Sequence, residues 1–174
     1  MRALLALIDR IGAAAAVLAA ACLALMAIFV LAEVFAIALF NRSLRFTWEV
    51  SAFLMAAAFF LGLPWTLNSG GHVRVQILRG VLPGRARPAL DLVATLVALA
   101  IALFLAYALA ILAIGSWADG SRTFTATATP LVIPQGVVAL GAALLSLQLL
   151  ARAIRIVMGE PPDTATPPHT SEDA

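Results

Sequence analysis

The sequence predicts an all-α membrane protein with four transmembrane helices and a short amphipathic interfacial helix between the second and the third. The first observation is composition: of 174 residues, 63% are hydrophobic and 11% are charged, whereas a soluble domain is about half apolar and about one quarter charged. The second is that the apolar residues fall into four long runs. The third is that every basic residue is an arginine beside those runs, where lipid headgroups lie. A water-soluble fold is excluded, and a net charge of +2 does not indicate nucleic acid as a partner.

The first predicted span, at about 11–40, is unusually long. Its first 22 residues, Ile11–Ala32, are uncharged, and about 20 are enough to cross a bilayer. A cleaved signal peptide is the alternative, but the apolar region of a signal peptide has only about 7–15 residues. Because the run continues to Phe40, we predict an uncleaved helix that tilts or rises out of the bilayer. Cys22 lies within it and is expected to pack rather than to react.

The other three spans are predicted at about 50–67, 92–114 and 131–150. Gly62 and Pro64 suggest a kink near the end of the second span. We expect residues 1–158 to form one transmembrane domain. Residues 159–174 are acidic and rich in Pro and Thr, and we expect a disordered cytoplasmic tail.

The segment His72–Leu82 follows the second span and permits two interpretations. The letters HVRVQI alternate polar and apolar residues, as a strand would. In a helix, His72, Gln76 and Arg79 share one face and most apolar residues lie opposite. Since an isolated strand has no partner here, we predict an interfacial helix at about 72–82. Arg74 is the one charge on its apolar side, so it is expected to meet a lipid phosphate or a carboxylate of a partner subunit.

The distribution of arginines predicts the orientation. With four spans, eight arginines lie on the side of the two termini and the central segment, and three lie on the other side. Because arginine and lysine are enriched in cytoplasmic loops, both termini are predicted to be cytoplasmic. All three tryptophans, Trp48, Trp65 and Trp117, lie near predicted span ends, which is typical of interfacial aromatic belts.

The sequence contains no pattern typical of catalysis. Its histidines, His72 and His169, fall on the surface segment and in the tail, so neither a catalytic cluster nor a metal or cofactor site is predicted. Buried polar residues are instead candidates for subunit or lipid contacts. Gln135 and Gln148, in or beside the fourth span, are expected to hydrogen-bond a neighbouring helix, and Pro134 lies near the start of that span.

Two carboxylates leave alternatives open. Glu33 should lie near the outer end of the first span, where it could reach the interface, pair with Arg42 or Arg45, contact a partner subunit, or bind a proton or coupling ion. Glu49 begins the second span beside Trp48, where it could complement the helix dipole or contact a partner.

Five segments of the chain, taken in order, carry a resemblance to a known family: RFTWE at Arg45–Glu49, FLGLPW at Phe60–Trp65, GHVRVQIL at Gly71–Leu78, LPGRAR at Leu82–Arg87, and TPLVIPQGVVALGAALLSLQ at Thr129–Gln148. Together they resemble the small permease subunit (DctQ type) of tripartite ATP-independent periplasmic (TRAP) transporters. The order and spacing of these segments carry the resemblance over almost all of the chain except the tail. Two positions depart from the family pattern: Val50 and Gln76 stand where the family often has an acid.

The resemblance implies a role in uptake across the bacterial inner membrane. In such systems a soluble periplasmic protein captures an organic acid, often a carboxylate, and a large membrane subunit imports it with an ion gradient, usually of sodium, which that large subunit binds. The small subunit acts as a lateral scaffold that helps to dock the binding protein.

Two other functions remain open at the level of the sequence. One is a small autonomous exporter that uses Glu33 as its proton-binding carboxylate. The other is a structural subunit of a different membrane complex. Neighbouring genes for a large permease and a secreted binding protein would favour the transporter subunit.

Overall fold

The computed structural model describes residues 2–69, 87–125 and 127–159. Within these ranges the chain forms four α-helices: α1 (Arg2–Phe40), α2 (Thr47–Asn68), α3 (Arg87–Ala118) and α4 (Val132–Val157). Each is long and apolar enough to cross a membrane. The prediction of an all-α protein with four membrane-spanning helices is therefore confirmed. The predicted interfacial helix at 72–82 and residues 160–174 of the predicted tail lie outside the described residues.

The helices are longer than the spans predicted from apolar runs. Helix α1 has 39 residues, about 58 Å at 1.5 Å per residue, against a hydrocarbon core of about 30 Å. It begins at Arg2, so the charged start of the chain continues the first span as its opening turns. Helix α3, with 32 residues, also exceeds the membrane thickness. Both helices therefore tilt or project beyond the bilayer.

Helix α4 is the centre of the bundle. It packs against α2 on one side and α3 on the other, while α1 packs mainly against α2. In the most apolar part of each helix, 44% of α4 residues are buried but only 11% of those of α1 and α3. The outer helices α1 and α3 therefore present most of their surface outward. We call the end where α1 begins and α4 ends the terminal end, and the opposite end the hairpin end.

Helix α1 contacts its neighbours through a regular stripe of buried and half-buried residues. The spacing alternates between three and four, which is the heptad period that keeps one seam facing a partner helix. Ala15 and Ala19 pack with Leu61 of α2, and such small residues let two membrane helices approach closely. Cys22 lies on this stripe. Its members are Leu5, Ile8, Gly12, Ala15, Ala19, Cys22, Met26, Phe29 and Glu33.

The closest approach between helices occurs where Gly141 of α4 meets Phe60 of α2. A Cβ at Gly141 would lie 2.7 Å from the backbone carbon of Phe60 and 2.8 Å from its carbonyl oxygen. Pro64 lies inside α2 four residues later, so it provides no N–H to bond the Phe60 carbonyl. The glycine thus lies against a stretch of backbone that has lost its helical hydrogen bond, and only a residue without a side chain fits there.

Candidate functional site: polar clusters at the two ends of the bundle

The carboxylates Asp9, Glu33 and Glu49 each lie near one end of a membrane-spanning helix. Asp9 lies at the terminal end of α1, Glu33 toward the other end of the same helix, and Glu49 in the first turn of α2. Asp9 and Glu33 are 24 residues apart, about 36 Å along the helix, which exceeds the apolar thickness of a bilayer. Both carboxylates can therefore lie at membrane interfaces rather than at the midplane.

The first cluster joins three helices at the terminal end. The Nη2 atom of Arg155 in α4 lies 2.6 Å from Oδ2 of Asp9 in α1. The same guanidinium donates through Nη1 to Oδ1 of Asn68, the last residue of α2, at 3.3 Å. Gln148 donates through Nε2 to the other oxygen of Asp9 at 2.9 Å. Since Gln148 and Arg155 are seven residues apart, they lie on one face of α4. We call Asp9, Asn68, Gln148 and Arg155 the terminal cluster.

Burial makes the terminal cluster important for stability. The side chain of Arg155 is 6% exposed and that of Asp9 is 21% exposed, while Gln148 is only 2% exposed. A buried ion pair contributes little compared with apolar residues of the same shape, but removing one partner strands a buried charge and costs about 3–5 kcal/mol. The terminal cluster therefore adds little net stability to the packing of α1, α2 and α4. It specifies their arrangement, because any other arrangement would leave a buried charge without a partner.

At the hairpin end, Glu33 binds the loop between α1 and α2. Its Oε1 accepts from Ser43 Oγ at 2.6 Å and its Oε2 accepts from the backbone N–H of Leu44 at 2.7 Å. Glu33 itself is 8% exposed. Of the contacts left open by the sequence, pairing with Arg42 or Arg45 is therefore not observed, and both arginines are exposed. The turn between the helices directs a hydroxyl and an N–H toward the carboxylate, and these donors take the place of an arginine.

Glu49 holds the loop between α3 and α4. The described residues of that loop, 121–125 and 127–131, form a short antiparallel turn. Arg122 and Pro130 pair in a β-bridge, and Thr123 N donates to Thr129 O at 3.0 Å. We call these residues the hairpin. Its Thr123 Oγ1 donates to Glu49 Oε1 at 2.6 Å. The hydroxyls of Thr125 and Thr127 both donate to Oε2 of the same carboxylate.

This contact shows how the sequence creates the second cluster. The chain bends at Thr125 and turns back, with Ala128 N donating to Thr125 O at 3.1 Å. This turn brings the three hydroxyls of the T-x-T-x-T segment to one acceptor. Glu49 is also in the first turn of α2, where a negative charge is favourable. Sequence reasoning found this helix-terminal position but missed the threonines, although their regular spacing was a usable signal.

The remaining sequence candidates do not join these clusters. Trp48 is 79% exposed, and Pro134 is half-buried near the start of α4. The Gln135 Oε1 atom is buried without a hydrogen-bond partner, as are the hydroxyls of Thr47 and Ser51. His72, Arg74 and Arg79 lie outside the described residues. Sequence reasoning did not single out Asp9, Asn68 or Arg155 as cluster members, because their partners are distant along the chain.

Chemically, the clusters join helices and loops rather than provide reactive groups. The oxygens of Asp9, Glu33 and Glu49 all accept hydrogen bonds from within the chain. Among the described residues there is no group of three His, Cys, Asp or Glu side chains that could hold a metal ion. Because the clusters lie at helix ends, they keep the helix bundle and its loops in a fixed arrangement.

Comparison with known proteins identifies the family. A family model described as the DctQ component of tripartite ATP-independent periplasmic transporters matches residues 26–159, which is more than half of the chain. No curated protein and no solved structure gave a match. This component is part of a transporter and is not an enzyme. The four-helix architecture and the family match agree, and the chain belongs to the DctQ family of small membrane subunits of TRAP transporters.

Proposed function

We propose that this subunit is a scaffold for the large permease subunit and helps to dock the periplasmic binding protein. The complex would import organic acids, with carboxylates as the substrate class, across the bacterial inner membrane. A sodium gradient would drive import through ions bound by the large subunit. One observation carries the proposal. The carboxylates described above form hydrogen bonds within the chain, so the surface that the long outer helices offer to a partner is apolar.

The apolar faces of α1 and α3 support a scaffolding role. Exposed large residues run along both helices, including Phe35 of α1 and Phe104 and Tyr107 of α3, which are 60%, 73% and 66% exposed. In a membrane such a face contacts lipid or another transmembrane helix. Membership of the DctQ family makes a large permease subunit the expected protein partner.

The internal use of the carboxylates supports placing substrate and ions on another chain. A coupling site in a membrane transporter requires ionisable groups near the midplane that can bind and release an ion. Both oxygens of Glu33 already accept hydrogen bonds from Ser43 and Leu44. The autonomous exporter that would use Glu33 is therefore not favoured.

The hairpin end is the expected docking side. Eight arginines against three favour cytoplasmic termini, and with that orientation the hairpin end would face the periplasm. There Arg42 and Arg45 are exposed, in the loop that Glu33 holds in place through Ser43 and Leu44. An exposed surface on a fixed loop suits transient contact with a soluble protein. Arg74, on the opposite side, is proposed to contact lipid phosphate or a carboxylate of the large subunit.

Co-purification tests the scaffold proposal directly. A tagged subunit expressed with the large permease subunit of the same transporter should retain that permease in detergent and in nanodiscs. Gly136→Leu and Gly115→Leu probe possible contact faces, because a Cβ at either position meets no atom within 4 Å inside the subunit. If such a face contacts the permease, the variant should fold alone but lose the permease.

Two controls complete the experiment. The melting temperature of each isolated variant shows whether the leucine is tolerated within the subunit. Reconstitution of this chain alone should give no transport of organic acids, whereas the complete system should. A wild-type subunit that never retains the permease, or that transports on its own, would contradict the proposal.

A further inference from the structure

The hairpin has a second face, beside the threonines that bind Glu49. Thr123 and Thr125 direct their hydroxyls to Glu49, whereas the ring of the intervening Phe124, where the chain bends, is left uncovered. Phe124 has a relative exposure of 109%, so no side chain among the described residues covers its ring. A fully exposed phenylalanine on a polar loop leaves apolar surface in water unless an apolar environment covers it.

The Glu49 contacts also fix the depth of this face. Glu49 directly follows Trp48 in the first turn of α2, and Trp117 lies in the last turn of α3, immediately before the loop that contains the hairpin. Trp48 is 79% exposed and Trp117 is 75% exposed. Exposed tryptophans at the ends of apolar helices typically mark the membrane interface. A hairpin bonded to Glu49 cannot rise far above this level, so Phe124 lies near the lipid headgroups.

Arg122 adds the matching charge. It lies two residues before Phe124 and is exposed. Its Nη1 donates to the carbonyl of Ala128 at 3.1 Å, and a guanidinium has five N–H donors in all. The remaining donors can reach a phosphate, for which arginine has a suitable planar geometry. An aromatic ring beside a cation thus matches the boundary between acyl chains and headgroup phosphates.

We propose that the hairpin is a lipid anchor: Phe124 inserts at the acyl boundary beside Trp48 and Trp117, and Arg122 binds a phospholipid phosphate. The occupant is the membrane surface itself, because the apolar side chain, the cation and the two flanking tryptophans all match one interface. The anchor would keep the hairpin flat on the bilayer. This inference concerns the hairpin face and does not depend on the proposed scaffold or docking roles.

Depth-dependent quenching tests the anchor in the intact complex. In a Cys22→Ala background, Phe124→Cys carries an environment-sensitive fluorophore, and the complex is placed in nanodiscs that contain nitroxide-labelled phospholipids. The matched control is Asp119→Cys, an exposed position just before the hairpin. We expect blue-shifted emission and strong lipid quenching at position 124, and water-like emission with weak quenching at position 119.

Two further variants test whether the contacts of Glu49 and Arg122 hold position 124 in the lipid. Adding Glu49→Gln to the labelled Phe124→Cys protein should reduce the quenching, because the hairpin is no longer held at the interface. Arg122→Gln should also reduce it by removing the phosphate contact. The anchor is overturned if position 124 is as water-exposed as position 119. It is equally overturned if position 124 becomes protected only when the soluble binding protein is added, since the face would then be a protein contact.

Discussion

At the scale of single residues, Arg155 determines the arrangement of the terminal end. It bonds Asp9 of α1 and Asn68 of α2 from α4. We expect Arg155→Ala to lower the free energy of unfolding of the subunit by a few kcal/mol, because the half-buried Asp9 carboxylate loses its countercharge. The matched control is Arg42→Ala, an exposed arginine whose loss should change stability by less than about 0.5 kcal/mol.

A double-mutant cycle measures the coupling energy between Asp9 and Arg155 separately from the effect of each single substitution. Asp9→Ala with Arg155→Ala should cost less than the sum of the two single changes, since no charge is then stranded. Thermal unfolding in detergent provides the measurement. Additive effects would show that the contact between Asp9 and Arg155 is not coupled.

Gly141 makes a second prediction at this scale. Gly141→Ala should destabilise the subunit by about 1–3 kcal/mol, the usual cost of overpacking, because the new methyl group would lie 2.7 Å from the backbone of Phe60. Gly12→Ala is the matched control, since its Cβ would make only ordinary contacts at 3.7 Å. Melting temperatures of the two variants should differ clearly. Equal melting temperatures for Gly141→Ala and Gly12→Ala would mean that α2 and α4 can move apart with little loss of stability.

At the scale of elements, the structure assigns one carboxylate to each loop at the hairpin end. Glu33 bonds the loop between α1 and α2 through Ser43 and Leu44, and Glu49 bonds the hairpin through three threonines. We expect Glu49→Gln to increase amide hydrogen exchange in the hairpin and leave residues 41–46 unchanged. Glu33→Gln should do the reverse, because a neutral amide accepts weaker hydrogen bonds than a carboxylate.

The two variants serve as controls for each other. Hydrogen exchange measured by mass spectrometry on the purified complex resolves both loops. If either variant loosens both loops equally, the carboxylates act through general stability rather than through the contacts seen here. Thr125→Val should loosen the hairpin less than Glu49→Gln, because two of the three threonine hydroxyls would still reach Glu49.

At the scale of the whole molecule, the first prediction is orientation. In a Cys22→Ala background, Asp119→Cys near the hairpin end should react with a membrane-impermeant thiol reagent on intact spheroplasts. Thr170→Cys in the tail should react only after lysis. The physical reason is the excess of arginines on the side of the termini. Labelling of Thr170→Cys but not of Asp119→Cys would reverse the orientation.

A second prediction at this scale concerns ion coupling. Glu33→Gln in the complete transporter should leave the sodium dependence of uptake unchanged, because Glu33 lies near the end of α1 and bonds the adjacent loop. Uptake against external sodium concentration in proteoliposomes provides the measurement, with expression of the complex as its control. A normally expressed complex that loses ion dependence would place the coupling site on this subunit.

Much of the molecule follows from local features of the sequence. Four apolar runs predict four helices, since each backbone polar group in a bilayer must be satisfied within its own segment. The position of Glu33 after 22 uncharged residues predicts its place near a helix end. These features depend on neighbours in the chain, so composition and spacing are sufficient to predict them.

The sequence by itself determined the number, type and approximate extent of the helices, while the tertiary structure decided which polar groups meet. Asp9 and Arg155 are 146 residues apart, and Glu49 is 74–78 residues from its three threonines. Hydropathy does not show that α4 is central, because all four helices are apolar and bury different fractions of their surface. Helix order depends on side-chain shape and on a few long-range hydrogen bonds. Only the folded bundle therefore shows that these carboxylates bind the protein's own loops and helices.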